Sequence, residues 1–182
     1  MKHLTMAELE AGLDEIRLSP KDAGVLELIV RRPRIEEREV LAEGELDLLE
    51  GLVGDCWRTI GSSRTVDGSA NPEMQINIMN SRVIALVAQD KDRRQLAGDQ
   101  LYLDMDLSAE NLPVGTHLAL GSAVIEITPP PHTGCKKFVS RFGLDAMKFV
   151  NSPLGQQLRL RGINARVIRP GVIRVGDVAT KT

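Results

Sequence analysis

Cys135 stands in the run PPPHTGCKKF, where more groups capable of chemistry meet than anywhere else in the chain. Three prolines stiffen the turn before it, and Gly134 permits a close approach or an unusual backbone angle. Lys136 and Lys137 follow at once, and His132 precedes it by one short turn. Neighbouring cations stabilise a thiolate, so the spacing predicts a thiol more acidic than a free cysteine. Such a group serves as a nucleophile or as a soft metal ligand. The alternative is a structural cysteine, since the residue type is often buried, but a basic, glycine-containing turn is a poor core address.

The other candidates are weaker. His132 reads as a base, a ligand or a plain loop residue. Cys56, in GLVGDCWR, is either a small packed residue or a resolving thiol for Cys135, and Asp55 beside it is placed to cap or position backbone amides. A metal site built from Cys56, Cys135, His132 and His117 matches no zinc spacing, and His3 and His117 have no motif around them. Arg159, Arg161, Arg166, Arg169 and Arg174 crowd the C-terminal segment. If LRLR is extended, Arg159 and Arg161 share a face, and arginine suits bidentate binding of carboxylate or phosphate.

Charge supports an anion-binding reading. Residues 1–131 carry 13 Lys/Arg against 23 Asp/Glu, a net −10, whereas residues 132–182 carry 10 against 2, a net +8. Such a basic segment serves either as the internal match of an acidic one or as a pocket for an anionic small molecule. Nucleic acid is not expected, because the segment has no aromatic stacking platform and no recognised binding motif. No run reaches the roughly 18 apolar residues of a membrane span. The start, MKHLTMAELEAGLDEI, has acids where a secretory leader would be apolar. The expectation is a cytoplasmic protein with free thiols and no disulfide framework.

The elements that must position Cys135 are mostly short and extended. Residues 5–18 form an amphipathic helix with Thr5 and Glu8 as a capping box, Leu4, Leu9, Leu13 and Ile16 as its stripe, and Pro20 as its stop. This helix reads as an appendage (1–23) on a main domain (24–182). VLELIVRR, EREVLAE, MQINIMN, LYLDMDL and GSAVIEIT are strand-like, the last alternating Ala123, Ile125 and Ile127 against Val124, Glu126 and Thr128. Residues 61–73 form a polar loop or lid, and Ser81 is placed to cap a short helix. FVSRFGLDAMKFV has a helical face broken at Gly143, and INARVI-RPG-VIRV reads as a hairpin with a type II turn. Regular βαβ alternation is missing. The expected class is mainly β (α+β), a closed or sandwiched β structure with a few short helices, since closure removes strand edges.

These residues together resemble the MOSC domain family, the C-terminal domain of molybdenum cofactor sulfurases. The resemblance rests on a strand of the form G-x-A-x-x-E-I-T (Gly121 to Thr128), a proline-rich turn closing on one cysteine (Cys135), R-G-x-x-A-R-V (Arg161 to Val167) and G-x-V-x-V-G-D (Gly171 to Asp177). Upstream, Gly51 to Asp55 resembles the family's G-L-x-G-D turn and Glu110-Asn111-Leu112 its x-N-L segment, so the likeness covers roughly residues 24–180. It implies a closed or partly open MOSC-type β-barrel with a few short helices and an N-terminal helix, in a stand-alone bacterial-type member. It also implies a cysteine that either ligates molybdenum in a pterin cofactor or carries sulfur as a persulfide. Cys135 would take that role, with Lys136, Lys137, Arg161, His132 and Asp55 around the thiolate or the cofactor. Two departures stand out: Cys56-Trp57 replaces the His or Arg that follows the G-L-x-G-D turn in many members, and GSSRTVDGSANPE replaces a basic, His-Gly-rich loop. The family is also associated with pyridoxal phosphate. No aminotransferase-like, ferredoxin-type or flavin module is read in these residues, so sulfur donors or electron-transfer proteins are expected as partners. The alternatives are a molybdenum-dependent reductase of N-hydroxylated compounds and a non-enzymatic binding module.

Overall fold

The computed structural model describes residues 2–62 and 65–182; Ser63 and Arg64, in the expected 61–73 loop, lie outside the described residues. In chain order the elements are α1 (Met6–Ala11), α2 (Leu13–Arg17), β1 (Gly24–Arg31), β2 (Glu39–Leu41), β3 (Glu43–Asp47), β4 (Gly51–Leu52) and α3 (Trp57–Ile60). There follow β5 (Ile76–Asn80), α4 (Ser81–Ala88), β6 (Leu101–Asp104), β7 (His117–Leu120) and β8 (Ala123–Ile127). The last are α5 (Lys136–Phe142), α6 (Leu144–Asn151), α7 (Pro153–Gln157), β9 (Ile163–Arg169), β10 (Gly171–Arg174) and β11 (Val178–Lys181), with 3₁₀ turns at Pro72–Met74 and Lys91–Ala97.

Seven strands close into a barrel in the order β11-β7-β8-β9-β5-β6-β1, with β1 pairing back onto β11 and β2 attached as an extra strand. The closed, mainly antiparallel architecture is the barrel that the family resemblance implies and one of the two arrangements that the strand pattern allows. The exception is the parallel pair β5–β6, bridged by α4 and the second 3₁₀ turn. β1 serves two neighbours on one edge: Gly24 and Val25 pair with β11, and Ile29 to Arg31 with β2. A bulge between Leu26 and Leu28 shifts the register. It lets Leu26 and Ile29 both face the interior although they are three positions apart, which strict alternation would put on opposite faces.

Side-chain parity then builds two cores. Inside the barrel lie Leu26, Ile29, Ile78, Leu101, Leu103, Ile125, Ile127, Ile163 and Ala165. Outside, Val30, Met79 and Tyr102 meet Leu9, Phe138, Phe142 and Phe149 from the helices. Burial on both faces explains why Leu101, Tyr102 and Leu103 are all buried where simple alternation would expose the middle one. Among the described residues no helix is long and apolar enough to cross a membrane.

Several local expectations change. The N-terminal helix has its Thr5–Glu8 capping box but is two short helices meeting at Gly12, which lies so close to Leu86 that an added Cβ would fall 2.5 Å from a methyl group. Asn80, not Ser81, caps α4, its carboxamide oxygen accepting from the amides of Arg82 and Val83. The LRLR segment is not extended but is the turn after α7, a helix begun by Ser152 and Pro153. The expected hairpin is absent: β9 pairs with β5 and β8, whereas β10 leaves the barrel to pair with β3 in a three-stranded sheet. Gly171 lacks a positive φ, so it supplies close approach rather than a type II turn, with the Ser122 backbone 2.6 Å from where its Cβ would stand.

Ile125 is fully buried in the barrel interior. Ile125→Ala is expected to lower unfolding free energy by about 2–5 kcal/mol through lost burial and a residual cavity, measured by urea titration.

Candidate functional site

The outward-facing residues of the barrel wall form the floor of the site. Along the end of β1 the outer positions run Leu28, Val30 and then Arg32, just beyond the strand; β5 contributes Asn77 and Met79, and β9 contributes Asn164. Asn77 donates to Asn164 Oδ1 at 2.6 Å, and Asn164 Nδ2 donates to the Pro130 carbonyl at 2.8 Å. These bonds tie the proline turn to the barrel. From the helical side, Asn151 of α6 clamps Gly134, accepting from its amide at 2.8 Å and donating to its carbonyl at 3.1 Å. Cys135 follows directly, exposed, as the residue before α5, its carbonyl accepting from Val139.

Asp99 lies at the centre, between the second 3₁₀ turn and β6, with no solvent exposure. Its Oδ1 is 2.8 Å from His132 Nε2 and 2.9 Å from Arg161 Nη1, and its Oδ2 is 2.7 Å from the same guanidinium nitrogen. Burial by itself would raise the Asp99 carboxyl, but Arg161 and His132 outweigh it and hold the group at about 2. His132 is pushed below the ordinary imidazole range, by burial first and then by Arg161, against the opposing pull of Asp99. A neutral imidazole beside a carboxylate donates from Nε2, which leaves the lone pair on Nδ1. Arg161 also bonds the Ala97 carbonyl at 3.1 Å and lies 5.1 Å from the Phe138 ring, while its Nε is buried with no hydrogen-bond partner among the described residues.

Around Cys135 a cavity of about 250 Å³ is lined by six cations (Arg32, Arg34, Arg38, Lys137, Arg141 and Arg161) and by no carboxylate. Acids hold several of these cations from behind. Asp55 pairs with Arg32 at 2.7 Å, and Glu36 takes Lys137 at 2.7 Å and Arg141 at 2.5 Å. Hydrogen bonds from Lys137 and Arg141 depress the Glu36 carboxyl to about 2. Arg38 has no such acid. Burial and then Arg141 and Arg32 push its guanidinium below the usual range, and its Nε is buried with no hydrogen-bond partner among the described residues.

The structure therefore brings His132, Cys135, Lys137 and Arg161 to one cavity. Lys136 is exposed and outside that lining. Asp55 lies behind the wall, its oxygens taken by Arg32 and by the amide of Trp57. Cys56 lines the same cavity as Cys135, and burial, then Asp55, pushes its thiol up. Asp99, Arg32, Arg38 and Arg141 escaped the sequence reading. Asp99 has only one visible signal, a Gly-Asp step just before a strand-like run. Among the described residues no group of three His, Cys, Asp or Glu side chains is placed to hold a metal ion.

The Asp99 cluster makes the fold acid-sensitive, and the sign follows from the two shifts. His132 is depressed in the fold, so its contribution is complete above about pH 6.5 and is lost as pH falls, when the unfolded chain takes up the proton first. Asp99 is depressed too, so its contribution is complete above about pH 4 and is lost toward its folded value. Unfolding free energies from urea titrations should fall between pH 7 and 5, and His132→Gln should remove that part of the slope. Asp99→Ala should cost about 3–5 kcal/mol at neutral pH by leaving Arg161 buried and unpaired.

Comparison with known proteins agrees with this architecture. The fold is similar to that of the YUAD protein from Bacillus subtilis, with a TM-score of 0.59 at 18% identity over 87% of this chain and 97% of that one. It is also similar to YiiM from Escherichia coli, with a TM-score of 0.56 at 17% identity over 87% of this chain and 69% of that one. No curated protein matches the sequence significantly. The sequence model of the MOSC domain matches residues 67–180, well over half of the chain. That span contains Asp99, His132, Cys135 and Arg161, and the chain belongs to the MOSC domain family.

Proposed function

We propose that the chain presents Cys135 to an anionic ligand in the cation-lined cavity. The thiolate acts either as the protein ligand to the molybdenum of a pterin cofactor or as the carrier of a persulfide. The observation that carries this reading is the meeting of an exposed thiol with six cationic side chains in the lining of one carboxylate-free cavity. The residues fit an anionic cofactor in two respects. An oxyanion would satisfy the orphaned Arg38 Nε and relieve the crowding of Arg38 by Arg141 and Arg32. The Cys135 cavity of about 250 Å³ also adjoins one of about 170 Å³ that shares Arg32, Ile60, Asn77 and His132 with it.

When bound, such a cofactor supplies two-electron redox chemistry at its metal. Without a three-residue cage among the described residues, a metal here has to bring most of its ligands, and Cys135 adds one soft donor. Arg32, Arg38 and Lys137 offset the ligand's negative charge. His132, fixed by Asp99, offers Nδ1 as a proton acceptor. The same cations stabilise a persulfide anion in the sulfur-carrying version. The proton-handling His132 favours one further reading, reduction of N-hydroxylated compounds, because that reaction consumes protons as well as electrons. Electrons or sulfur would then come from separate partner proteins.

Protein purified without reductant should carry either molybdenum, by metal analysis, or an adduct of about 32 Da on Cys135, by mass spectrometry. Cys135→Ser should lose whichever is present, and Cys56→Ser should keep it. Arg38→Gln should lower the loading about tenfold, the size of one charge-assisted hydrogen bond. Wild-type protein bearing neither group after exposure to a sulfur donor and to the cofactor would overturn the proposal.

A further inference from the structure

The cavity of about 420 Å³ shares His132 and Arg161 with the Cys135 cavity, but Cys135 is not in its lining. Its volume lies in the range of pockets that enclose a small organic molecule. The walls are held in place independently of any ligand. Pro129, Pro130 and Pro131 form a stiff side, fixed to the barrel through the Asn164 bond to the Pro130 carbonyl. Asn151 is immobilised by its two bonds to Gly134. No Asp or Glu lines the cavity.

Arg159 lines it and is the anomaly. Its Nη1 donates to the Leu112 carbonyl at 2.6 Å, while Nε and Nη2 have no acceptor among the described residues, and no acid pairs with it. Burial disfavours its charge, with no carboxylate to compensate. Its backbone is also in the left-handed region, at φ +49°, a conformation that arginine seldom adopts. The turn is enforced by the Arg159 amide donating to the Gln156 carbonyl and the Gly162 amide donating to the Arg159 carbonyl. Local backbone physics favours Gly or Asn at this position. A strained backbone carrying an unpaired, half-buried guanidinium at the wall of a cavity marks a group kept for what it binds.

We propose that this cavity is a subsite for a small organic oxyanion, a carboxylate or a phosphate monoester, whose charged end pairs with Arg159 and whose body lies along the three prolines. The guanidinium offers two free, adjacent N–H directions, the geometry that a carboxylate or phosphate accepts in bidentate fashion. This subsite does not depend on what Cys135 carries. Through the shared His132 and Arg161, however, an occupant would lie next to the cavity that Cys135 lines.

Isothermal titration of the full chain with benzoate and with phenyl phosphate tests it and distinguishes the two anion types. At least one should bind with one-to-one stoichiometry. Arg159→Gly suits the positive φ and so preserves the fold, and it should weaken that binding about tenfold or more. Arg159→Asn, also tolerant of this conformation, should give the same loss in a folded protein whose melting temperature falls only by the missing bond to Leu112. Cys135→Ser and Arg38→Gln should leave affinity within about twofold, as independent sites do. Binding of neither anion at millimolar concentration, equal affinity in Arg159→Gly, or a loss that follows Arg38→Gln instead would each overturn the subsite. Failure of the Cys135 proposal would appear separately, as absence of sulfur and molybdenum with anion binding intact.

Discussion

A single buried carboxylate organises the site. Asp99 has no contact with solvent, and its oxygens accept from both His132 and Arg161. Such a charge is tolerable only when it is paired and hydrogen-bonded, so its presence dictates where two other elements must lie. His132 is drawn down from the proline turn and Arg161 from the turn after α7. Phe138 then covers Arg161 from the first turn of α5. Cys135, one residue before that helix, has its position set by these constraints and by the Asn151 clamp on Gly134.

The barrel contributes by having two useful faces. Its inner face is apolar and gives the fold a filled interior. Its outer face, beneath α5 and α6, mixes apolar positions with Arg32, Asn77 and Asn164. The same alternation that fills the inside therefore lays out a polar floor outside, and the helices roof only part of it. The cations meet over the uncovered part, with their acids placed behind or at the edge. The charged side chains lining the Cys135 cavity are all cationic, although the whole chain carries a net charge of −2.

The architecture was legible because it is written in local patterns. Alternation in MQINIMN and GSAVIEIT, a capping box at Thr5 and Glu8, and a break at Gly143 are all short-range signals. The reactive turn was legible for the same reason, since the prolines, His132, Cys135 and the lysines are contiguous. What escaped was long-range. Asp99 meets His132 and Arg161 across 33 and 62 residues, and nothing near Asp99 in sequence announces those partners. Arg38 and Arg141 are unremarkable charged residues until folding places them over one cavity. Adjacency in sequence suggests a hairpin, whereas Pro170 and Gly171 carry β10 out of the barrel to β3. Lys136 shows the limit of contiguity, for its place next to Cys135 in sequence does not bring it into the cavity lining.

The double pairing of β1 has a consequence for biosynthesis. Its first residues, Gly24 and Val25, must wait for Ala179 and Val178. On a ribosome, that part of the strand therefore emerges more than 150 residues before the backbone groups that will satisfy it. Until then one seam of the sheet stays open to solvent and to neighbouring chains, the kind of exposed edge that invites mispairing. The ring can be sealed only after translation has passed residue 178, so the nascent chain spends most of its synthesis with its circumference incomplete.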